Sequence, residues 1–566
     1  MQVVLAAINS KYVHTALGLR YINEYCRMKK HQTTLIEETI NTPALVVLEN
    51  LMAQQADVYA FSVHIWNKTF VFSLIRLLKK LKPAVKIVIG GPEVAFDVQK
   101  IFAELPEADY IVQGEGEICF EQLLSYLEGR GELPLHIAYI KDGRAELNSG
   151  VTCIEDLSIL PFPYPDLAKI IEEHKIVYYE CSRGCPFNCS YCLSGISRNV
   201  RKRPVELVLA DLNRFIEAKV PLVKFVDRTY NLDENYYLPI MEYLAKLETD
   251  TTFHFEIKAD ILNARVLEFL KTVPEGRFQL EIGIQTTNPE TLSAINRKDN
   301  WEKLSCNVNY LLANKNMHIH LDLIAGLPYE GLAEFARSFD DVYSLQPQML
   351  QLGFLKVLPG TQMSRETELH QLIYMDEPPY EILATKYISY EDLQLLKQIE
   401  NVFEQTYNTG FFENTLKYLI KQYNKGSFAF YRHLTEWWLK NGNYPQNHNV
   451  KGTAKILYDY ILENVPEHTE LLEILKYDIF TKVQGWRPEW LNWNSDVIFA
   501  ETSAFWRDEE KVKQYLPDYK FSSWRQINKT YPIELFSFNP EESRKEKFYL
   551  LLDYSKEKMR KLKLKL

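Results

Sequence analysis

A chain of 566 residues has room for three or four domains at roughly 150 residues each, and its 46% hydrophobic and 25% charged content excludes a disordered or collagen-like polymer. Its 65 Lys and Arg against 75 Asp and Glu leave a net charge of −10, which argues against a protein that grips nucleic acid by neutralising phosphates. No apolar run reaches the roughly 20 residues that span a bilayer, and the start MQVVLAAINSKYVHT lacks a basic n-region and a small-residue cleavage site, so a cytoplasmic protein with no membrane span is expected.

Residues 1–150 alternate short apolar runs with amphipathic segments: Val3–Ile8, a helix over 16–27, Asp57–Val63, a helix over 71–81, Val85–Ile89 and Tyr110–Gly114. Apolar strands separated by helices predict a doubly wound α/β domain with a parallel sheet covered on both faces. Ligands bind such sheets where strands end at their carboxyl edge. Three of those ends read Ser62-Val63-His64, Gly90-Gly91 and Gly114-Glu115-Gly116-Glu117. Paired glycines let a backbone approach a large planar or phosphate-bearing ligand; tight strand-to-helix turns are the plainer reading. Neither set is G-x-G-x-x-G, so a dinucleotide is not indicated.

A proline-rich connector over 151–174, containing Pro161-Phe162-Pro163-Tyr164-Pro165, stiffens the chain between domains. Residues 175–375 repeat a strand–helix pattern, with strands expected at 175–181, 221–227, 252–258, 278–285, 317–325 and 350–357 and helices such as 204–218 and 331–345. Six such units predict a partial (β/α)6 barrel whose chemistry sits on loops at the carboxyl ends of its strands. Residues 376–566 read as a mainly helical, aromatic-rich domain holding seven of the nine tryptophans, which at helical spacing are core. The basic end, Lys556–Leu566, is expected to be a solvated, frayed tail.

Four of the eight cysteines fall within twelve residues, in Cys181-Ser182-Arg183-Gly184-Cys185-Pro186-Phe187-Asn188-Cys189-Ser190-Tyr191-Cys192. Its core is C-x3-C-x2-C. Three thiolates on one loop can hold three irons of a [4Fe-4S] cubane and leave the fourth open to react. A structural zinc site is the competitor, with Cys181 as fourth ligand, but it usually draws on two separated pairs.

This run resembles the radical S-adenosylmethionine enzymes, specifically the class with an N-terminal cobalamin-binding domain. Further matches are Phe225–Asn231, Phe255–Asp260, Glu281–Thr286, Asp322–Pro328 and Leu358-Pro359-Gly360-Thr361, and the resemblance covers roughly residues 1–375. It implies a Rossmann-like cobalamin-binding domain at 1–150 and a barrel at 175–375 in which Cys185, Cys189 and Cys192 bind a [4Fe-4S] cluster and act in catalysis. S-adenosylmethionine would chelate the open iron, and one electron would release a 5′-deoxyadenosyl radical that abstracts hydrogen from a substrate. By the same resemblance, Asp227, Glu256, Lys258 and Gln285 face S-adenosylmethionine and Tyr191 lies near its adenine. Lys258 with Asp260 has the alternative of a rim ion pair, and Glu281 on an apolar strand needs a partner. Ser62, Gly90 and Gly91 occupy the places that accommodate the cobalamin tail, and Gly114 and Glu115 match the usual ending of that domain.

One departure concerns cobalt. Where mutases carry Asp-x-His-x-x-Gly, this chain reads Tyr12-Val13-His14-Thr15-Ala16-Leu17, so His14 lacks the aspartate that would orient it, and His64 is weaker still. The expectation is cobalamin held without a histidine on cobalt. The function implied is methylation of an unactivated carbon of an unidentified substrate, with electrons from a flavodoxin- or ferredoxin-like donor. The alternatives are radical rearrangement or cyclisation without methyl transfer, a methylthiotransferase, for which the N-terminal cysteines 26, 119 and 153 are poorly suited, and a non-catalytic cobalamin or iron–sulfur sensor.

Overall fold

The computed structural model describes the whole chain except residues 142, 143, 148–152, 197, 495, 496, 521, 522, 557, 558 and 566. The expected boundary at 150/151 lies outside the described residues. The chain forms two units, one of residues 1–338 with 345–390, the other of residues 339–344 with 391–566.

The first unit opens with strands β1 (Gln2–Asn9), β2 (Gln32–Thr39), β3 (Val58–Ser62), β4 (Lys86–Gly90) and β5 (Tyr110–Val112), followed by β6 (Ile137–Lys141) and β7 (Arg144–Leu147). They lie in the order β2-β1-β3-β4-β5-β6-β7, the first five parallel and the last two antiparallel. Strand β1 shows why its sequence reads as an unbroken apolar run. Val4, Ala6 and Ile8 enter one core and Val3, Leu5 and Ala7 the other, because successive side chains point to opposite faces and helices cover both. Strand β2, not anticipated from the sequence, is polar because it is the edge strand and only half-buried.

The second sheet of this unit holds β8 (Val177–Tyr179), β11 (Leu222–Phe225), β12 (Thr252–Ile257), β13 (Phe278–Gln285), β14 (His318–Ala325) and β15 (Met349–Phe354); between the first two, the short β9 (Ser182–Arg183) pairs with β10 (Arg201–Lys202). The six are parallel and lie in sequence order, an open partial barrel. Burial along β13 alternates strictly: Phe278, Leu280, Ile282 and Ile284 are buried, while Gln279, Glu281, Gly283 and Gln285 form a partly open polar face. A hairpin of β16 (Ile373–Tyr374) and β17 (Ile382–Ala384) also belongs here. Ile382 donates its N–H to Leu355 O at 2.9 Å, and Val357 donates to Tyr380 O at 2.9 Å, so the hairpin joins the first unit, which runs to residue 390.

The second unit is a run of helices from Tyr390–Thr406 to Thr469–Lys482, then shorter helices, then an antiparallel sheet of β18 (Ile533–Asn539), β19 (Arg544–Asp553) and β20 (Arg560–Leu564). The domain is mainly helical, as expected, and ends in this sheet. The basic terminus, expected to be a frayed tail, is instead an edge strand in which Leu562 and Leu564 pack on the core while lysines alternate outward. No described helix is long and apolar enough to cross a membrane.

If β20 holds this sheet, Leu564→Ala should cost about 2–3 kcal/mol. Chemical denaturation followed by tryptophan fluorescence reads the effect, since seven of nine tryptophans lie beyond residue 436; a frayed tail would give no change.

Candidate active site

Two cavities open in the first unit at the carboxyl ends of its two sheets. The first, about 650 Å3, is walled by Asn9, Ser62, Gly90, Gly91, Gly114 and Glu115 at the strand ends of the N-terminal sheet and by Tyr178, Glu180, Arg183 and Arg228 from the barrel. Gly91 sits at φ +111°, and a Cβ there would fall 2.5 Å from Val63 O, so only glycine fits this turn. Ser62, Gly90, Gly91, Gly114 and Glu115 thus share one cavity, as the sequence suggested. The Glu115 carboxylate is nevertheless spoken for: it accepts from Arg201 at 2.6 and 2.9 Å and from the Ile154 N–H at 2.7 Å, with Arg183 at 3.4 Å. Its charge ties protein loops together at the cavity wall.

His14 and His64 also line this cavity. His64 stacks on Trp66 with ring centroids 4.4 Å apart, and burial lowers it to about 4. His14 Nδ1 lies 2.7 Å from the Tyr178 hydroxyl. The absent aspartate therefore has a replacement, and the premise that His14 lacks an orienting partner is corrected.

The second cavity, about 290 Å3, lies at the barrel's strand ends and brings together Cys185, Cys189, Cys192, Tyr191, Glu256, Lys258, Glu281 and Gln285. Its cysteine loop is fixed by backbone bonds that need no metal: Ser190 N–H to Ile295 O at 3.0 Å, Cys192 N–H to Cys189 O at 3.1 Å, and Met363 N–H to Ser190 O at 2.8 Å. The three cysteines line one cavity, where three thiolates from one loop could hold irons of a cluster. Cys181 is outside the cavity wall, fully buried, with its thiol on Asp227 at 3.1 Å.

Asp227 lies apart from both cavities. Its carboxylate accepts from the Cys181 N–H at 3.1 Å, from the Cys181 thiol and from the Ser182 hydroxyl, anchoring the start of the cysteine loop. Lys258 reaches the cavity wall, but its ammonium is held by Asp260 at 2.8 Å, by Asp299 and by the Lys298 carbonyl, so the ion-pair alternative is the one the structure adopts. Glu281 has its partner in His254, at 3.0 Å, and that hydrogen bond keeps it below the usual carboxylate range.

Glu256 and Asp322 differ. Burial pushes Glu256 up to about 7, with Arg228 opposing. Burial, and after it Glu281 and Glu256, pushes Asp322 up to about 8, and Asp322 Oδ1 is buried without a hydrogen-bond partner. An orphaned carboxylate oxygen in a cavity wall is costly unless a ligand meets it. Sequence reading missed three wall residues as site residues: Asp322, Arg228 and Arg297, the last beside Tyr191 and Cys189. Arg228 and Asp322 lay within quoted motifs; nothing in the sequence marked Arg297. Arg228 is also the residue common to both cavities.

Comparison with known proteins separates three regions. The family model "B12 binding domain" matches residues 3–124, "Radical SAM superfamily" matches 179–342, and "Protein of unknown function (DUF4080)" matches 368–552. Among curated proteins, an uncharacterised methyltransferase of Pyrococcus horikoshii is 23% identical over 360 residues, 61% of this chain and 77% of that protein. The cobalamin-dependent radical SAM methyltransferase TokK of Streptomyces tokunonensis is 26% identical over 349 residues, 56% of this chain; the match spans about half, 49%, of TokK. The solved structure of the cobalamin-dependent S-adenosylmethionine radical enzyme OxsB shares the fold with a TM-score of 0.61 at 18% identity, covering 91% of this chain and 84% of that one.

Two outcomes are expected. Arg183→Gln leaves Glu117 and Glu180 buried without their guanidinium, and should cost about 3–5 kcal/mol in denaturant titration. For Asp322 the folded carboxyl is raised from 3.8 to about 8, so the folded state binds more protons than the unfolded one between those values and the cofactor-free chain loses stability as pH rises through that window. Asp322→Asn removes the loss: its melting temperature should match wild type near pH 4 and exceed it by a margin that grows up to pH 8. A margin independent of pH would contradict the buried, unpaired carboxyl.

Proposed function

We propose that the chain, which carries a B12-binding domain and a radical SAM domain, is a radical S-adenosylmethionine enzyme that transfers a methyl group to an unactivated carbon of an unidentified substrate. The observation that carries the proposal is the shared wall: the cavity of the glycine pair and the cavity of the three cysteines meet at Arg228. A substrate carbon there would lie between the two cofactor sites. The methyltransferase names of the relatives support the same reading.

When bound, the [4Fe-4S] cluster with S-adenosylmethionine supplies a hydrogen-abstracting radical and cobalamin supplies the methyl group. The protein's part is placement. Cys185, Cys189 and Cys192 would each hold one iron. Gly90 and Gly91 would let the N-terminal backbone approach the cobalamin tail, with Ser62 and Gly114 beside them. Asp322 and Glu256, unpaired at the wall, would accept hydrogen bonds from the hydroxyl or ammonium groups of S-adenosylmethionine; Gln285 and Tyr191 complete that wall. Asp227 holds the cysteine loop from beneath. We further propose a cytoplasmic setting and a flavodoxin- or ferredoxin-like reductant, because the cluster must be reduced by one electron.

The test is anaerobic. The reconstituted chain with dithionite, cobalamin and methyl-labelled S-adenosylmethionine, supplied with a small-molecule extract, should form 5′-deoxyadenosine and carry label into a new product by mass spectrometry. Cys185→Ala, Cys189→Ala and Cys192→Ala together should abolish both. A new product without label would replace methyl transfer by rearrangement or cyclisation. No 5′-deoxyadenosine with both cofactors bound would favour a sensor.

A further inference from the structure

The second unit contains a cavity of about 980 Å3 that takes no part in the proposed reaction. Its walls come from the end of helix Thr469–Lys482 and the turn after it, from helix Phe499–Arg507, and from the start of β18. Trp486, Trp506, Tyr531 and Tyr554 make these walls largely aromatic. The cavity opens to solvent past Phe499, Arg507 and Lys529, so a ligand that buries the aromatic faces displaces water from apolar surface.

Charge in the cavity is one-sided. Arg487, Arg507 and Lys529 line it, and no Asp or Glu does among the described residues, in a chain of net charge −10. Arg487 is held in place from behind. Its guanidinium lies 5.6 Å from the Phe480 ring centre and 5.4 Å from that of Trp493, donates to Ile533 O at 3.2 Å, and faces Glu534 at 3.5 Å. Glu534 is itself fully buried and is gripped by the Lys476 ammonium at 3.1 Å and the Asn494 N–H at 2.8 Å. Burying such a Lys–Glu–Arg line contributes little net stability compared with apolar residues of the same volume. What it achieves is a guanidinium fixed at the cavity wall with its charge met from behind by Glu534. Arg507 and Lys529 are exposed at the same cavity and make no ion pair among the described residues.

We infer that this cavity binds an organic anion, a molecule with an apolar or aromatic body and one carboxylate, sulfonate or phosphate group, its acid met by Arg507 and Lys529 and its body by the aromatic walls. The inference stands apart from the methyl-transfer reading, since it concerns the second unit alone.

The experiment uses the full chain with cofactors loaded and two matched probes, 8-anilino-1-naphthalenesulfonate and N-phenyl-1-naphthylamine, the same rings without the sulfonate. Calorimetry should show the sulfonate binding about tenfold tighter, the effect of one charge-assisted hydrogen bond. The preference should fall toward unity in Arg507→Glu/Lys529→Glu, whose exposed side chains leave the fold intact, and Ser503→Trp should weaken both probes by filling the cavity. Equal affinity for the two probes in wild type, or a preference unmoved by the charge reversal, would overturn the inference. Competition with decanoate, indole-3-acetate and AMP separates aliphatic, aromatic and nucleotide acids: at least one should displace the sulfonate, and displacement by none overturns the inference as well.

Discussion

Arg183 is the interaction on which the arrangement of the first unit turns. It lies two residues before Cys185 and reaches across to the loop after β5, pairing with Glu117 and Glu180 at 2.6 Å and with Glu115 at 3.4 Å. Its neighbour in the ladder, Arg201, takes the other side of Glu115. Three carboxylates and two guanidiniums therefore join the last loop of one sheet to the cysteine loop of the other. The net stability of such a buried network is small, because desolvation offsets most of the attraction. Its geometry is another matter: planar forks against carboxylates fix both distance and orientation, and a reaction between two bound cofactors depends on placement to within about an ångström.

The barrel's inner face follows from the same economy of charge. Several charged groups around it are satisfied by protein: Lys258 by Asp260 and Asp299, Glu281 by His254, and Asp227, behind the wall, by Cys181 and Ser182. Glu256 and Asp322 stand out because their neighbours do not satisfy them, and both are raised by burial. We read the unsatisfied Asp322 carboxyl, with Glu256 beside it, as the place where an incoming group with N–H or O–H donors would be accommodated.

This contrast also explains what the sequence could and could not convey. The cysteine run was legible because its chemistry is local: three thiols on one short loop need no distant residue to be read. The strands β1, β3 and β4 were legible because a sheet covered on both faces writes itself as unbroken apolar runs. Motif membership, however, marks residues that matter without saying how. Asp227, Lys258 and Glu115 carry the right charges in the right segments, yet each is consumed by partners 2 to 86 positions away, and spacing along the chain does not reveal that. Asp322 is the converse, a residue within a recognised segment whose significance lies in the partner it lacks.

The C-terminus shows the remaining difficulty, that charge and periodicity can compete as signals. Residues 560–564 read Arg-Lys-Leu-Lys-Leu, and weighing the charge suggests a solvated tail. The period is two, however, the repeat of a strand with one face buried, and β20 places Leu562 and Leu564 on the core of its sheet with Lys561 and Lys563 outward against Glu541 and Glu542. Lysines along an edge strand also discourage pairing with another chain. The basic character is thus what an exposed sheet edge requires, and the apolar alternation beneath it is what determined the structure.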